Sequence, residues 1–278
     1  MKVITIEVLL SCYYKDNPLF FKFAIESTYD SQTVKPDRFL IVFDGPVSEE
    51  IEQIANSYKS RYPEIFFILR LKENKGLGNA LKQGVLSCSC DYILRMDADD
   101  ISSPERIETL KRYIQKHKEI DVLGSYTAEF ENEPHDYKTV RVLKRKHSEI
   151  KNDAKKRSPI SHVSALIKRE TLLRCGNYKD FPFYEDYYLW VRMITGGAVF
   201  ENLPEILVYV RTDCARYRRK ANPIYVESSL KFQQFLYNIK YINKFEFIRN
   251  ILIRYFVAVV PVTVRKLIYE NILRTRRR

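Results

Sequence analysis

The chain has 278 residues, of which 45% are hydrophobic and 29% are charged, and its formal net charge is +12. This composition excludes a disordered or fibrous protein, and the length suffices for one large domain or for a domain with an appendage. The basic balance favours acidic partners such as phosphorylated ligands, an anionic membrane or nucleic acid.

The cysteines and histidines do not follow a metal-binding or disulfide pattern. Five cysteines include no Cys-x-x-Cys pair, and the four histidines are far apart, so we expect free thiols in a reducing compartment and no zinc site. Residues 3–10 lack the long apolar core of a secretory signal, and no run reaches the roughly 20 apolar residues of a membrane span. These features together predict a cytoplasmic protein.

Strand and helix patterns alternate over the first 120 residues. Apolar, β-branched runs predict strands at residues 3–10, 38–43, 65–69 and 92–96. Apolar residues at helical spacing predict helices near residues 19–27, 51–58, 77–85 and 107–114. This order predicts an α/β fold with a mostly parallel sheet flanked by helices.

The pattern changes after residue 120. We expect strands at residues 121–126, 163–167 and 204–210, helices at residues 169–175 and 185–195, and only helices from residue 223 onward. Residues 138–157 are strongly basic, which favours a solvated loop and helix face over a binding surface.

Polar side chains follow the first four predicted strands at the points where the strands end. The residues concerned are Ser11, Tyr13 and Asp16, then Asp44, then Asn74 to Asn79, and finally Asp97, Asp99 and Asp100. Because ligands bind at the carboxyl ends of parallel strands, we expect these four segments to meet at one binding rim.

Asp97 and Asp99 form an Asp-x-Asp pair directly after a buried strand. Two hard oxygen ligands at this position suit Mg²⁺ or Mn²⁺ bridging a diphosphate. The competing interpretation is a solvated turn before a helix that starts at residues 102–104. Two roles are equally possible for Asp44. It is either a turn-forming residue before Gly45 or a carboxylate that accepts hydrogen bonds from a nucleobase or ribose.

The segment from Asn74 to Asn79 opens a predicted helix. Its glycines, Gly76 and Gly78, allow close backbone approach, and a helix N-terminus favours anions. The segment matches neither a dinucleotide-binding nor a P-loop motif.

A second acidic pair, Glu185 and Asp186, begins the predicted helix at residues 185–195. The pair either stabilises the helix N-terminus or provides a general base in a half-apolar cleft. Nearby aromatic residues could stack on sugar faces: Tyr184, Tyr187, Tyr188 and Trp190. A histidine that precedes a strand, as His162 does, is more often structural than catalytic. The basic stretch 211–220 either neutralises a diphosphate or is an exposed face.

These motifs, in this order and spacing, resemble those of family 2 glycosyltransferases with the GT-A fold, over residues 3–211. The matching segments are residues 11–14, 41–45, 74–84, 96–100 and 185–186. The resemblance is strongest to non-processive bacterial enzymes that build capsule, exopolysaccharide or O-antigen. Tyr14 stands where many relatives carry Asn, and no Gln-x-x-Arg-Trp motif follows the acidic pair, which disfavours a processive polymerase.

The resemblance implies a Rossmann-like GT-A catalytic domain at residues 1–215, with a nucleotide-binding half (1–100) and an acceptor-binding half (101–215). Residues 216–278 would form a basic helical C-terminal extension. The implied reaction is an inverting transfer of a sugar from a nucleotide-sugar, expected to be a UDP-sugar, to a saccharide acceptor linked to polyprenyl diphosphate.

The resemblance also implies roles for individual residues. Asp186, with Glu185 beside it, would be the general base, and Asp97 and Asp99 would bind Mn²⁺ or Mg²⁺. Further candidates for the acceptor or diphosphate are His162, Trp190 and Arg211. The implied nucleotide-binding residues are Ser11, Tyr13, Asp44, Asn74, Gly76, Asn79, Asp97 and Ala98.

The tail carries an apolar stripe at helical spacing: Ile248, Ile251, Leu252, Tyr255, Phe256 and Val259. Pro261 should end or kink this helix. The stripe either lies on an anionic membrane surface or packs on the catalytic domain, and the first alternative predicts a peripheral enzyme on the inner face of the cell membrane.

Three rival functions stay open at this point. A sugar-1-phosphate nucleotidyltransferase uses a similar sheet but usually carries a Gly-rich basic signature near the first strand, which is absent here. A basic nucleic-acid-binding protein fits the charge but no binding motif, and the acidic clusters would repel phosphate, so nucleic acid is not expected. The third rival is a catalytically inactive sugar-binding homologue.

Overall fold

The sheet is built around β1 (Ile6–Cys12), which pairs in parallel with β2 (Arg38–Phe43) on one side and with β4 (Tyr92–Met96) on the other. β3 (Phe66–Arg70) pairs in parallel with β2. Every residue of β1 and β4 is buried, as expected for parallel strands covered on both faces. A computed structural model of the protein describes residues 3–212, 222–261 and 275–276.

The connecting helices cover the two faces of this parallel half. They are α1 (Pro18–Ile25), continued by a π-helical turn (Glu26–Asp30), α2 (Glu49–Arg61), α3 (Leu77–Ser87) and α4 (Arg106–Lys116). Val8 faces the core that contains Phe21 and Ile107, whereas its neighbour Leu9 faces Leu81 of α3. This alternation along β1 is what a strand between two helical layers requires.

The predicted helix start at residues 102–104 is wrong. Ser102 belongs to the short strand β5 (Ile101–Ser102), and α4 begins at Arg106. The hydroxyl of Ser102 accepts a hydrogen bond from the buried Arg106 guanidinium, so this serine is used in the core and does not cap a helix.

The second half makes the sheet mixed. Its strands are β6 (Val122–Phe130), β7 (Thr139–Arg141), β8 (Leu166–Lys168) and β9 (Phe200–Arg211). β8 lies antiparallel between β4 and β6, β9 runs parallel to β6, and β5 and β7 add antiparallel pairs. The longest ladders are parallel, as predicted. The strand expected at residues 163–167 starts later, because residues His162–Ser164 form a 3₁₀ turn.

Three helices of the second half cover the α3 side of the sheet: α5 (His147–Asp153), α6 (Arg169–Arg174) and α7 (Glu185–Thr195). Ile150, Leu172 and Leu189 enter the same core as Leu81 of α3. The first turn of α7 is thereby positioned beside the start of α3.

The C-terminal extension contains α8 (Pro223–Asn238) and α9 (Lys244–Val259), as predicted. Phe232 and Leu236 of α8 pack on Tyr184 and Tyr187 at the start of α7. Residues Thr275–Arg276 form a strand, β10, on β7, so the prediction of helix throughout the extension is wrong at this point. In the part of the chain that the structure describes, no helix is both long and apolar enough to cross a bilayer.

Candidate active site

The carboxyl ends of β1, β2 and β4 lie side by side at one edge of the sheet. The register sets Cys12 opposite Phe43 and Leu10 opposite Met96, so Asp44 and Asp97 each follow directly after a paired residue. Ser11 lies between β2 and β4 and is 8% exposed. The sequence-predicted residues of three strands therefore share one rim.

Asp44 holds the loop that precedes α3. Its two carboxylate oxygens accept hydrogen bonds from the backbone N–H groups of Lys75 and Gly76, both at 2.9 Å. The interpretation of Asp44 as a local turn former is wrong, because its partners lie more than 30 residues away. Gly45 has φ +83°, and a Cβ there would lie 2.6 Å from the Asn74 nitrogen, so only glycine allows this approach.

The start of α3 offers backbone donors to the rim. Gly76, at φ +87°, is the N-cap residue and provides no side chain to cap the helix. The Gly76 N–H donates to Asp44 and, at 3.2 Å, to Asn74, and the Asn79 N–H donates to the Gly76 carbonyl at 3.1 Å. The first-turn N–H groups of Leu77 and Gly78 have no acceptor within the helix, and such groups can bind phosphate oxygens.

The carboxylates after β4 divide into two kinds. Asp97 and Asp99 reach solvent, with Ala98 buried between them. Asp100 is 2% exposed and accepts a bond of 2.8 Å from the Arg211 backbone N–H. Burial and then the charge of Asp99 raise the pKa of Asp100 well above its usual range. Asp100 therefore anchors β9, while Asp97 and Asp99 lie at the solvent side of the rim.

Asp16 extends the acidic rim from the loop after β1. It accepts a bond of 2.9 Å from the backbone N–H of Tyr13. Burial, together with the charges of Asp99 and Asp97, raises the pKa of Asp16 to about 7. Tyr13 is half-exposed, and its ring meets that of Tyr14 edge to face.

A buried arginine lies beneath these acids. Arg95 of β4 is 1% exposed, donates to the Met96 carbonyl and forms an ion pair with Asp97. Its charge also lowers the pKa values of Asp16 and Asp99 against the opposing effect of burial. The sequence interpretation missed Arg95, although a charged residue inside a buried strand signals a paired partner.

The donor set of the rim suits a divalent ion that is shared with a diphosphate. Within the described residues no group of three or more His, Cys, Asp or Glu side chains could enclose a metal by itself. Mg²⁺ and Mn²⁺ commonly use only one or two carboxylates and take their other ligands from phosphates and water. The carboxylates of Asp97 and Asp99 fit this arrangement. Burial and the charge of Asp97 raise the pKa of Asp99 to about 6, so it is ionised at neutral pH.

Arg211, at the end of β9, closes the rim on the side of Asp99. Its Nε donates to the Asp99 carbonyl at 3.2 Å, and its guanidinium lies 3.8 Å from the centre of the Phe20 ring. The remainder of the predicted basic stretch, residues 213–220, lies outside the described residues.

The second acidic pair occupies the first turn of α7. The Ser158 hydroxyl donates to Asp186 at 3.2 Å, and burial raises the pKa of Asp186 against the effects of Tyr187, Arg141 and Ser158. Burial also raises the pKa of Glu185 to about 7. A Cβ on Gly78 would lie 2.9 Å from Cγ of Glu185, so this pair directly adjoins the start of α3.

Tyr178 is buried near both acidic groups. It is 1% exposed, shares a hydrogen bond of 2.8 Å with His162, and lies within electrostatic range of both Asp186 and Asp97. Burial lowers the pKa of His162 to about 3, so this histidine is neutral at physiological pH. The sequence interpretation missed Tyr178 because nothing in its local pattern separates it from a core tyrosine.

Trp190 is not available to stack on an acceptor. It is 0% exposed, and its ring packs against His162 and Phe200. Tyr184 and Tyr187 are also buried, against α8. The expectation that these three aromatic rings contact a sugar is therefore wrong, because they form the support behind the acidic pair.

Comparison with known proteins gives a family for this arrangement. The profile described as "Glycosyl transferase family 2" matches residues 8–176. A UDP-Gal:alpha-D-GlcNAc-diphosphoundecaprenol beta-1,3-galactosyltransferase of Escherichia coli is 34% identical, over 96% of this chain and 96% of its own length. The amylovoran biosynthesis glycosyltransferase AmsE of Erwinia amylovora is 31% identical, over 95% of this chain and 97% of its own.

A solved structure with the same fold is the mannosyltransferase PcManGT from Pyrobaculum calidifontis in complex with GDP-Man and Mn²⁺. It aligns with a TM-score of 0.62 and 11% identity, over 92% of this chain and 70% of that chain. Because the profile covers more than half of the sequence and the relatives align along nearly all of it, the chain belongs to glycosyl transferase family 2, has the GT-A fold and is a glycosyltransferase.

Proposed function

We propose that this enzyme transfers a sugar, with inversion, from a UDP-sugar to a saccharide carried on polyprenyl diphosphate, in the synthesis of a cell-surface polysaccharide. The observation that carries the proposal is that the start of α3 is bound to Asp44 at the strand ends and lies against Glu185 of the second acidic pair. The galactosyltransferase, related along nearly its whole length, supports the donor and acceptor classes, and the amylovoran biosynthesis enzyme supports polysaccharide synthesis.

In this proposal residues 1–100 bind the donor, and residues 101–215 bind the acceptor. Ser11, Tyr13 and Asp44 contact the nucleoside, and the Asn74–Asn79 segment offers backbone N–H groups to the diphosphate. The firm attachment of this segment to Asp44 supports the assignment, because preorganised donors stabilise charge without further rearrangement.

Asp97 and Asp99 would hold Mn²⁺ or Mg²⁺, which neutralises charge on the departing diphosphate. Arg95 fixes one oxygen of Asp97, so the second oxygen keeps a defined direction. Arg211, whose guanidinium lies over Phe20, adds a cation on the same side of the rim. Positioning and charge stabilisation of this kind supply much of the catalysis in group transfer.

Asp186 takes the proton from an acceptor hydroxyl. The hydroxyl oxygen then attacks the anomeric carbon of the donor from the face opposite to the diphosphate. The bond between that carbon and the diphosphate oxygen breaks, and UDP leaves with the electron pair. The raised pKa of Asp186 supports this role, because a base closer to neutrality accepts a proton more readily. Ser158 orients the carboxylate through its hydrogen bond.

The lipid carrier of the acceptor would put the reaction at the inner face of the cell membrane, with the enzyme peripheral to it. The four cysteines of the described chain are free thiols, and three of them are buried. Membership of family 2 already decides against the sugar-1-phosphate nucleotidyltransferase alternative.

The test separates donor binding from transfer. Calorimetric titration of UDP should show Mn²⁺-dependent binding in the wild type and in Asp186→Asn. Asp99→Ala should lose this binding. Transfer from UDP-sugars to a lipid-linked saccharide should fall by about a hundredfold or more in Asp186→Asn, since a positioned base contributes about that factor or more.

Two variants are the matched controls. Glu185→Gln removes the carboxylate next to Asp186, and Glu64→Ala removes an exposed carboxylate that has no predicted role. Near-normal transfer by Asp186→Asn with strong loss in Glu185→Gln would move the base to Glu185. UDP binding without transfer to any saccharide would indicate a sugar-binding homologue, and absence of UDP binding would contradict the uridine donor.

A further inference from the structure

The outward face of α9 is apolar. Seven large hydrophobic side chains on this helix are between 46% and 75% exposed. One of them, Ile253, lines a groove beside the helix, and the spacing of three, four or seven residues puts the other six along one side of the helix. These six are Phe245, Ile248, Leu252, Tyr255, Phe256 and Val259. Isolated exposed apolar residues are ordinary, but a continuous row marks an interaction surface.

Apart from Phe247, which packs on the cluster that contains Phe232 and Ile242, the inward contacts of α9 are polar, which is unlike the usual pattern of a surface helix. Asn250 is buried and donates to the Lys155 carbonyl at 2.8 Å, and Glu246 pairs with the Lys155 ammonium at 3.1 Å. Arg254 donates to the Lys156 carbonyl at 3.2 Å. Polar contacts therefore attach α9 to the protein, so the predicted packing of its apolar stripe on the catalytic domain is wrong for these side chains.

A groove of about 990 Å³ separates α9 from α8 and adjoins this face. Val226 and Leu230 line it from α8, and Ile253 lines it from α9. The charged border of the groove is mostly cationic, with Lys156, Arg157 and Arg249, although Asp153 also lines it and forms an ion pair with Arg157 at 2.8 Å. An apolar surface with a cationic border is complementary to a bilayer that contains anionic headgroups. A second copy of the chain would instead bring like charges together.

We infer that the outward face of α9, together with the adjoining groove, docks this enzyme on an anionic lipid bilayer. The inference rests on the proposed function. It adds to that function by assigning the membrane contact to particular residues. The basic segment Lys156–Arg157 leads directly into Ser158, which binds Asp186. Docking at α9 thus keeps the segment that orients the base close to the headgroups, where a polyprenyl-linked saccharide is presented.

Sedimentation with vesicles tests the inference on the full chain. Vesicles of phosphatidylglycerol mixed with phosphatidylcholine should bind the wild type, and vesicles of phosphatidylcholine alone should bind it much less. Leu252→Glu with Phe256→Glu should weaken partitioning by about a hundredfold, since each large apolar side chain contributes about a factor of ten. Lys156→Glu with Arg249→Glu should remove the preference for phosphatidylglycerol.

Leu86→Glu is the matched control, because Leu86 is an equally exposed leucine on α3. All these variants should keep the unfolding midpoint and the Mn²⁺-dependent UDP binding of the wild type, so a docking failure is distinct from a failure of the proposed function. Wild-type partitioning by the Leu252→Glu, Phe256→Glu variant would overturn the inference. The inference would also be overturned if sedimentation velocity without vesicles showed a wild-type dimer and this variant were a monomer.

Discussion

Asp44, Asp97 and Asp100 illustrate what a residue's position in sequence predicts and what it does not. That each carboxylate follows a buried strand is visible in the sequence, and the structure brings Asp44 and Asp97 to one edge of the sheet. The partners of Asp44 and Asp100 are not visible in the sequence, because the backbone amides of Lys75 and Arg211 reach these two carboxylates only through the tertiary fold. Asp100 consequently became an anchor of β9, although it had the same local pattern as Asp99.

Arg95 and Tyr178 are residues near the rim that the sequence interpretation did not predict. Both are almost fully buried, Arg95 lowers the pKa of Asp16 through its charge, and Tyr178 lies within electrostatic range of Asp97 and Asp186. A buried arginine needs a partner, so its presence in β4 is a usable signal. A buried tyrosine is ordinary, so the position of Tyr178 near both acidic groups is visible only in the structure.

The raised pKa values of Asp16 and Glu185 predict a pH effect on stability. Both are about 7 in the folded protein and about 4 in an unfolded chain. Between these values the folded state keeps protons that the unfolded state has released, so this contribution to stability grows as the pH falls from about 8 to about 5. His162 acts in the opposite sense below about pH 6.5, because its folded pKa is lowered.

A double variant isolates the carboxylates from the histidine. Asp16→Asn with Glu185→Gln is neutral at both sites at every pH, whereas the wild type must bury charge near pH 8. The stability of the wild type relative to this variant should therefore increase as the pH is lowered, in urea unfolding with a chelator present. A difference that stays constant, or that increases with pH, would contradict the pKa shifts.

At the scale of elements, the close approach of α3 to the sheet depends on one glycine. A Cβ on Gly84 would lie 2.5 Å from Cδ1 of Leu9 and 3.1 Å from Cγ2 of Val42. Gly84→Ala should therefore destabilise the protein by about 1–2 kcal/mol, because overpacking outweighs the better helix propensity of alanine. Lys82→Ala, an exposed change on the same helix, should stay within about 0.5 kcal/mol.

Chemical unfolding measures both variants of α3. Equal stability of Gly84→Ala and the wild type would mean that the helix moves away from Leu9 without loss of free energy. In that case the UDP titration of Gly84→Ala should also change, since α3 carries the Asn74–Asn79 segment at its start.

The accuracy of the element predictions depends on how clearly each element is bounded in sequence. β2, β4 and α7 have the predicted bounds, because each has a clear pattern and a clear end signal. The two longest strands, β6 and β9, extend beyond the predicted residues 121–126 and 204–210. β5 and β7 have two and three residues, too few for any period to be visible. They form because a neighbouring strand supplies the hydrogen bonds, which is information from the fold alone.

At the scale of the whole molecule, the helical extension is attached on two sides by different forces. α8 uses aromatic packing on α7, and α9 uses polar contacts to the segment before Ser158. The sequence showed the apolar stripe of α9 but left its direction open, because an inward and an outward stripe have the same period. The buried polar residue Asn250 was the signal that distinguishes them.

This attachment predicts that the extension and the catalytic domain unfold together. Phe232 is 0% exposed, and its ring lies 4.3 Å from that of Tyr187 and 5.2 Å from that of Tyr184. Phe232→Ala should destabilise the protein by about 3–5 kcal/mol in a single transition. Transfer should fall more than UDP binding, because Glu185 and Asp186 lie between these two tyrosines on α7.

Phe245→Ala is the control, because this phenylalanine belongs to the same extension but is 75% exposed. Its stability should change by less than about 0.5 kcal/mol. A separate early transition for Phe232→Ala, with transfer unchanged, would mean that α8 and α9 form an independent appendage. Concerted unfolding with reduced transfer would instead mean that the same aromatic contacts hold the extension and set the position of the catalytic base.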